Sequence, residues 1–162
     1  MPIPVTLVHV ADRPDLIDAA VKMAWAEWGS GLPPEERERW LAVHRGDVNR
    51  DRVPAGFFAV GEDGSLIGSV SLHEFDIDSH RDRSPWLCGM LVRANARGRG
   101  IGRLLVRRLE RFAAGIGIAR MWVFTERAAD FYESCGWARL EELPHAPGHG
   151  PGTILVRVLP GG

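Results

Sequence analysis

Apolar positions along this chain recur with two periods, and the changes of period mark its elements. Residues 5–10 alternate enough to predict a first strand. From about residue 14 to 28, Leu16, Ile17, Ala20, Val21, Ala24, Trp25 and Trp28 form a helical stripe, with Pro14 in the permitted first turn. Gly29-Ser30-Gly31-Leu32-Pro33-Pro34 breaks that helix before a second one, predicted over 35–45. Residues 57–60 and 66–75 read as strands joined by the turn Glu62-Asp63-Gly64-Ser65. Residues 86–92 are short and uniformly apolar, the pattern of a buried central strand.

A long amphipathic helix follows. Ile101, Leu104, Leu105, Leu109, Phe112, Ala113 and Ile116 share one face, with Arg107, Arg108, Glu110 and Arg111 opposite, and Gly115 and Gly117 stop it. A second short apolar strand over 119–125, a short helix within 128–137 and a last strand over 153–159 complete an α/β order of β-α-α-β-β-β-α-β-α-β-β.

The chain has 162 residues, room for one substantial core, so 1–162 is expected to be a single domain. A formal net charge of -1 gives no global attraction to nucleic acid or to anionic membrane. Lys22 is the only lysine, and basic character concentrates between Arg97 and Arg111. Cys88 and Cys135 have no zinc-like spacing and read as reduced thiols. No targeting segment or membrane span is visible, which predicts a cytoplasmic protein. His145 and His149 lie among prolines and glycines, where no helix brings them to one face, so no metal site is expected.

The chemistry concentrates where the central strand runs into an Arg/Gly turn, Leu91-Val92-Arg93-Ala94-Asn95-Ala96-Arg97-Gly98-Arg99-Gly100-Ile101-Gly102. Glycines bring backbone N–H groups close to a ligand, and the first turn of the following helix presents partial positive charge. A pyrophosphate suits such a junction. The Gly-Lys-Ser/Thr ending of a P-loop is missing, and a dinucleotide fingerprint starting at Gly100 would need glycine where Leu105 stands.

Arg97-x-x-Gly100-x-Gly102, between strand and helix, resembles the acetyl-CoA pyrophosphate motif of the GNAT superfamily of N-acyltransferases. A second stretch, Ala128-Ala129-Asp130-Phe131-Tyr132-Glu133-Ser134-Cys135-Gly136-Trp137, resembles that family's Ala-x-x-Phe-Tyr-x-x-x-Gly-Phe/Trp signature. The resemblance implies a GNAT fold: a mixed central sheet of about six to seven strands with helices on both faces. In that fold the two central parallel strands, here 87–92 and 119–125, splay at their carboxyl ends, and acetyl-CoA lies in the cleft.

The resemblance further implies an acetyl-CoA-dependent N-acetyltransferase acting on the primary amine of a small-molecule or peptide acceptor, by direct attack in a ternary complex. The main chain around Leu91 would meet the thioester carbonyl. Val92, Arg97, Gly98, Arg99, Gly100, Ile101, Gly102 and Arg103 would hold the pantetheine and phosphates. Tyr132, the only tyrosine, would protonate the leaving thiolate, since a phenol keeps its proton at neutral pH. Glu74 is the first choice of general base and Asp76 the second. His73 has base chemistry, but strand alternation puts it on the face opposite Glu74.

Two positions depart from the family pattern. Ala94 replaces a frequent proline, and Thr125 stands where an asparagine often contacts the cofactor, keeping a hydroxyl able to hydrogen-bond. Trp25, Trp28 and Trp40 fall in the helices that usually line the acceptor site, and the loop over 144–152 is placed to cover it. The family often forms homodimers. A non-catalytic acetyl-CoA sensor is the alternative reading, while nucleic-acid binding lacks an aromatic platform beside the arginines.

Overall fold

The computed structural model describes residues 3–146 and 149–160. Seven strands, β1 (Val5–His9), β2 (Ala55–Gly61), β3 (Leu66–His73), β4 (Trp86–Val92), β5 (Arg120–Thr125), β6 (Ala138–Leu143) and β7 (Gly152–Val158), form one sheet in the order β1-β2-β3-β4-β5-β7-β6. Every neighbouring pair is antiparallel except the central β4 and β5. The helices are α1 (Ile17–Trp28), α2 (Glu35–Arg45), α3 (Ile101–Gly115) and α4 (Ala129–Ser134).

Alternation along β2 separates two cores. Phe57 and Ala59 belong to the core that holds Leu105, Leu109 and Phe112 of α3, while Phe58 and Val60 belong to that of Ile17, Ala20 and Val21 of α1. Both faces of this strand are covered, which is why it reads as a continuous apolar run. Leu105 and Leu109 are wholly buried, and at roughly 1.5–3 kcal/mol for each such side chain they tie α3 to the sheet.

β4 and β5 pair only through Trp86 opposite Trp122 and Leu87 opposite Val123. Beyond that point each strand stays with its outer neighbour, β4 with β3 as far as Val92 opposite Gly68, and β5 with β7 as far as Thr125 opposite Thr153. The sheet therefore opens between them at their carboxyl ends.

Three elements differ from the sequence expectation. The first helix begins at Ile17 after a separate 3-10 turn, Pro14–Leu16, and the first strand stops at His9 before another such turn, Val10–Asp12. β3 ends at His73 rather than at residue 75. Its last partner is Trp86, and the preceding Pro85 has no N–H to extend the ladder.

The chain after β3 then crosses the sheet face. Ile77 is buried with Trp86, Ala146 and Ile154, and His80 and Arg83 bond the Glu141 carboxylate of β6 at 3.0 and 3.2 Å. Cys88 is half-buried, Cys135 is buried, and both are free thiols. Among the described residues no helix is long and apolar enough to cross a membrane.

Candidate active site

A cleft of about 450 Å³ lies at the carboxyl end of β4, beyond the point where that strand has left β5. Met90, Leu91 and Val92 line it from β4, Ala96, Arg97, Gly98 and Gly100 from the turn, Ile101, Gly102 and Arg103 from the first turn of α3, and Phe131 from α4. Glu27 and Trp28 close it from the end of α1.

The turn is built for an anion. Gly98 and Gly100 have φ of 75° and 82°, the left-handed region that glycine enters without a Cβ penalty. No side chain caps α3 and no acidic residue stands in its first turn, so its N-terminal donors and partial positive charge face the cleft side. Gly102 serves differently. A Cβ there would stand 3.2 Å from both Met90 Cε and Phe131 Cζ, so this glycine lets α3 approach β4 and α4. These features fit a pyrophosphate.

The arginines are held rather than loose. Arg97 donates from Nε to the Val92 carbonyl at 2.8 Å and lies 3.4 Å from Glu27, while Arg103 donates to the Ser134 carbonyl at 3.0 Å and to its hydroxyl at 3.2 Å. Arg99 and Thr125 do not line the cleft. The Thr125 hydroxyl accepts a hydrogen bond from the Ala128 N–H at 2.9 Å, shaping the turn into α4.

β4 carries a bulge at the mouth of this opening. Ser71 faces Cys88 and Ser69 faces Leu91, so two residues, Gly89 and Met90, oppose the single Val70. Gly89 takes φ of 59°. The bulge breaks the ladder and frees backbone groups of β4 where the strand leaves β5.

A second group of side chains gathers beside the bulge. Tyr132 is buried, with ring contacts to Phe131 at 5.1 Å and Trp137 at 5.6 Å between centroids. Burial, then the neighbouring Cys88, Cys135 and Asp76, push its pKa above the ordinary phenol value, so it stays protonated. Asp76 is half-buried within reach of Cys88, and burial pushes its pKa up against the opposing pull of His149 and His73. The Cys88 thiol is pushed well up by burial and then by Asp76 and Asp47, which keeps it neutral. Glu74 stands exposed just beyond the end of β3.

Trp25 and Trp40 make an edge contact at 5.2 Å, whereas Trp28 is 46% exposed at the cleft. The loop over 144–152 docks through buried Ala146, and His149 lies 5.2 Å from the Phe124 ring, on the Asp76 side of the sheet. Pro147 and Gly148 of that loop lie outside the described residues. Sequence reading passed over Glu27 and the buried Asp47. Neither carries a local signal, since one is an ordinary helix carboxylate and the other lies in an unremarkable turn.

The model of the acetyltransferase (GNAT) family matches residues 17–137. The chain belongs to the GNAT acetyltransferase family. Solved structures agree with this fold at low identity. An aminoglycoside 6'-N-acetyltransferase complexed with coenzyme A superposes with a TM-score of 0.75 at 17% identity, over 94% of this chain and 96% of that one. A GNAT-family acetyltransferase from Staphylococcus aureus gives 0.73 at 12% identity, over 97% and 100%. An aminoglycoside 6'-acetyltransferase type Ii gives 0.71 at 21%, over 94% and 96%. The GNAT fold expected from the two motifs, with its splayed central pair, is the fold observed.

Proposed function

We propose that this GNAT protein is an acetyl-CoA-dependent N-acetyltransferase, one domain over 1–162, acting on a primary amine by direct attack in a ternary complex. The observation that carries the reading is the cleft at the carboxyl end of β4, floored by the Gly98–Gly100 turn and the uncapped start of α3, with Tyr132 next in the chain to its Phe131 edge. The relative complexed with coenzyme A supports it.

In this reading Gly98, Gly100, Ile101, Gly102 and Arg103 take the pyrophosphate, with Arg97 and Arg99 adding charge. Leu91 and Val92 align the pantetheine along the open edge of β4. An N–H of the bulged segment donates to the carbonyl oxygen as it gains negative charge. The amine nitrogen bonds to the carbonyl carbon and sheds a proton to a base at the site, the C–S bond breaks, and Tyr132 gives its phenolic proton to the thiolate, to be restored from water. Asp76 draws a cationic amine to the site, since a neighbouring cation favours its ionised form. Glu74 stands exposed just beyond β3, open to solvent. Trp28 and the Trp25–Trp40 pair suit an acceptor with an apolar body.

The test is direct. Acetyl-CoA at a hundredfold excess over Kd stabilises the native state by about 2.7 kcal/mol, read as a rise in Tm. No rise at millimolar acetyl-CoA overturns the reading. A rise without thiol release across an amine panel leaves a binding module, not an enzyme.

A further inference from the structure

A buried polar cluster adjoins this site, and the mechanism above leaves it unused. Asp47, between α2 and β2, has a side chain 0% exposed. Its Oδ2 accepts a hydrogen bond from the Ser71 hydroxyl at 2.7 Å, and its Oδ1 lies 2.8 Å from His73 Nε2. His44 of α2 places Nδ1 3.8 Å from the same carboxylate, beyond hydrogen-bond reach, and burial lowers its pKa. Among the described residues Asp47 has no ionic partner other than these two histidines.

A buried carboxylate requires donors, and His73 answers with Nε2–H. With Nε2–H given to Asp47, Nδ1 is the ring nitrogen left to meet another group. The imidazole is 22% exposed, at the end of β3 opposite Trp86, two residues on from Ser71, which faces Cys88. Asp76, three residues further on, lies within hydrogen-bond reach of the same Cys88 thiol. Asp47, Ser71, His73 and Asp76 therefore gather along the β3 side of Cys88, next to the bulge at Gly89.

We propose that His73 is the proton acceptor for the attacking amine, with Asp47 as its positioning residue; the assignment rests on the acetyl-transfer reading above. As the nitrogen bonds to the carbonyl carbon, its N–H proton passes to His73 Nδ1. The C–S bond breaks and the thiolate takes the Tyr132 proton. His73 then returns its proton to water and Tyr132 regains one from water, so the two exchanges cancel.

Asp47 faces His73 from the α2–β2 connection, His44 from α2 and Asp76 from the segment after β3, with Cys88 of β4 behind Asp76. The experiment measures thiol release from acetyl-CoA with 2-phenylethylamine, spermidine, lysine and kanamycin as probe amines, for wild type, His73→Gln, Asp47→Asn and His44→Gln. His73→Gln is expected to lose about 10²–10⁴ in kcat and the acid limb of the rate profile, with the acetyl-CoA melting shift kept. Asp47→Asn is expected to lose less and to move that limb, while His44→Gln keeps it.

A His73→Gln enzyme within threefold of wild-type kcat, or one that keeps the acid limb, overturns the proposal. A wild type that shows no acetyl-CoA melting shift, or that binds acetyl-CoA yet acetylates none of the probes, is the failure of the underlying reading instead. Imidazole nitrogen NMR of the unaltered protein needs no variant to fold: the Nε2–H tautomer at His73 is expected, and the Nδ1–H tautomer overturns the assignment.

Discussion

Tyr132 combines a burial that keeps it a phenol with a position next to the cleft-lining Phe131. Removing one hydroxyl while keeping the ring spares its contacts with Phe131 and Trp137. In Tyr132→Phe, kcat is expected to fall by about 10²–10⁴ with the acetyl-CoA melting shift retained, and wild-type kcat with chemistry rate-limiting would refute the acid role. Asp76 makes an opposite kind of prediction. Burial raises its folded pKa above the unfolded value, so its contribution to stability is full below the unfolded pKa and is lost as pH rises through the folded one. Asp76→Asn is therefore expected to raise Tm at about pH 8 and to lose that advantage near pH 4, while acceptor KM rises. A lower Tm at both pH values would mean that Asp76 stabilises the fold. The two glycines of the motif were legible as a pair, but their separate reasons were not: Gly100 needs its φ of 82°, and Gly102 needs room against Met90 and Phe131.

At the scale of elements, β4 matters most because it is irregular where the site opens. Its apolar run was readable as a strand, and its bounds are those of the sequence pattern. The bulge at Gly89 and Met90 was not readable, because a bulge is a mismatch of register with β3 and exists only once the two strands pair. Gly89→Val meets no neighbouring atom, so its cost is conformational, about 1–2 kcal/mol for a side chain held in the left-handed region. The variant is expected to lower Tm and to lower kcat more than the melting loss accounts for, as the strand relaxes towards regular pairing. Unchanged kcat in the folded variant would remove the bulge from the mechanism. β3 ended early for a comparable reason, since Pro85 acts on it only through pairing.

Over the whole molecule, two histidines link stability to pH. His9 joins the end of β1 to the α2–β2 connection: its Nδ1 accepts from the Ala11 N–H at 3.0 Å and its Nε2 lies 2.7 Å from the Asn49 carbonyl, a pattern that neutral imidazole satisfies with Nε2–H donating. Burial lowers the pKa of His9 and of His44. Their contribution to stability is full above the unfolded histidine pKa of about 6.5 and is lost as pH falls through the lowered folded values. Tm is expected to drop between about pH 8 and pH 5, and His9→Gln to start lower with a flatter slope; an unchanged slope in both His9→Gln and His44→Gln would place the linkage elsewhere. The sequence by itself determined the order of elements, the phosphate-type turn and the family motifs, because apolar period, glycine conformation and helix starts are properties of neighbours along the chain. Only the tertiary structure decided that Asp47 meets His73 across 26 residues and that Asp76 is half-buried within reach of Cys88 while Glu74 stands exposed. Partners distant in sequence meet only where the sheet and its crossing loops bring them, and burial at that meeting point sets their charge.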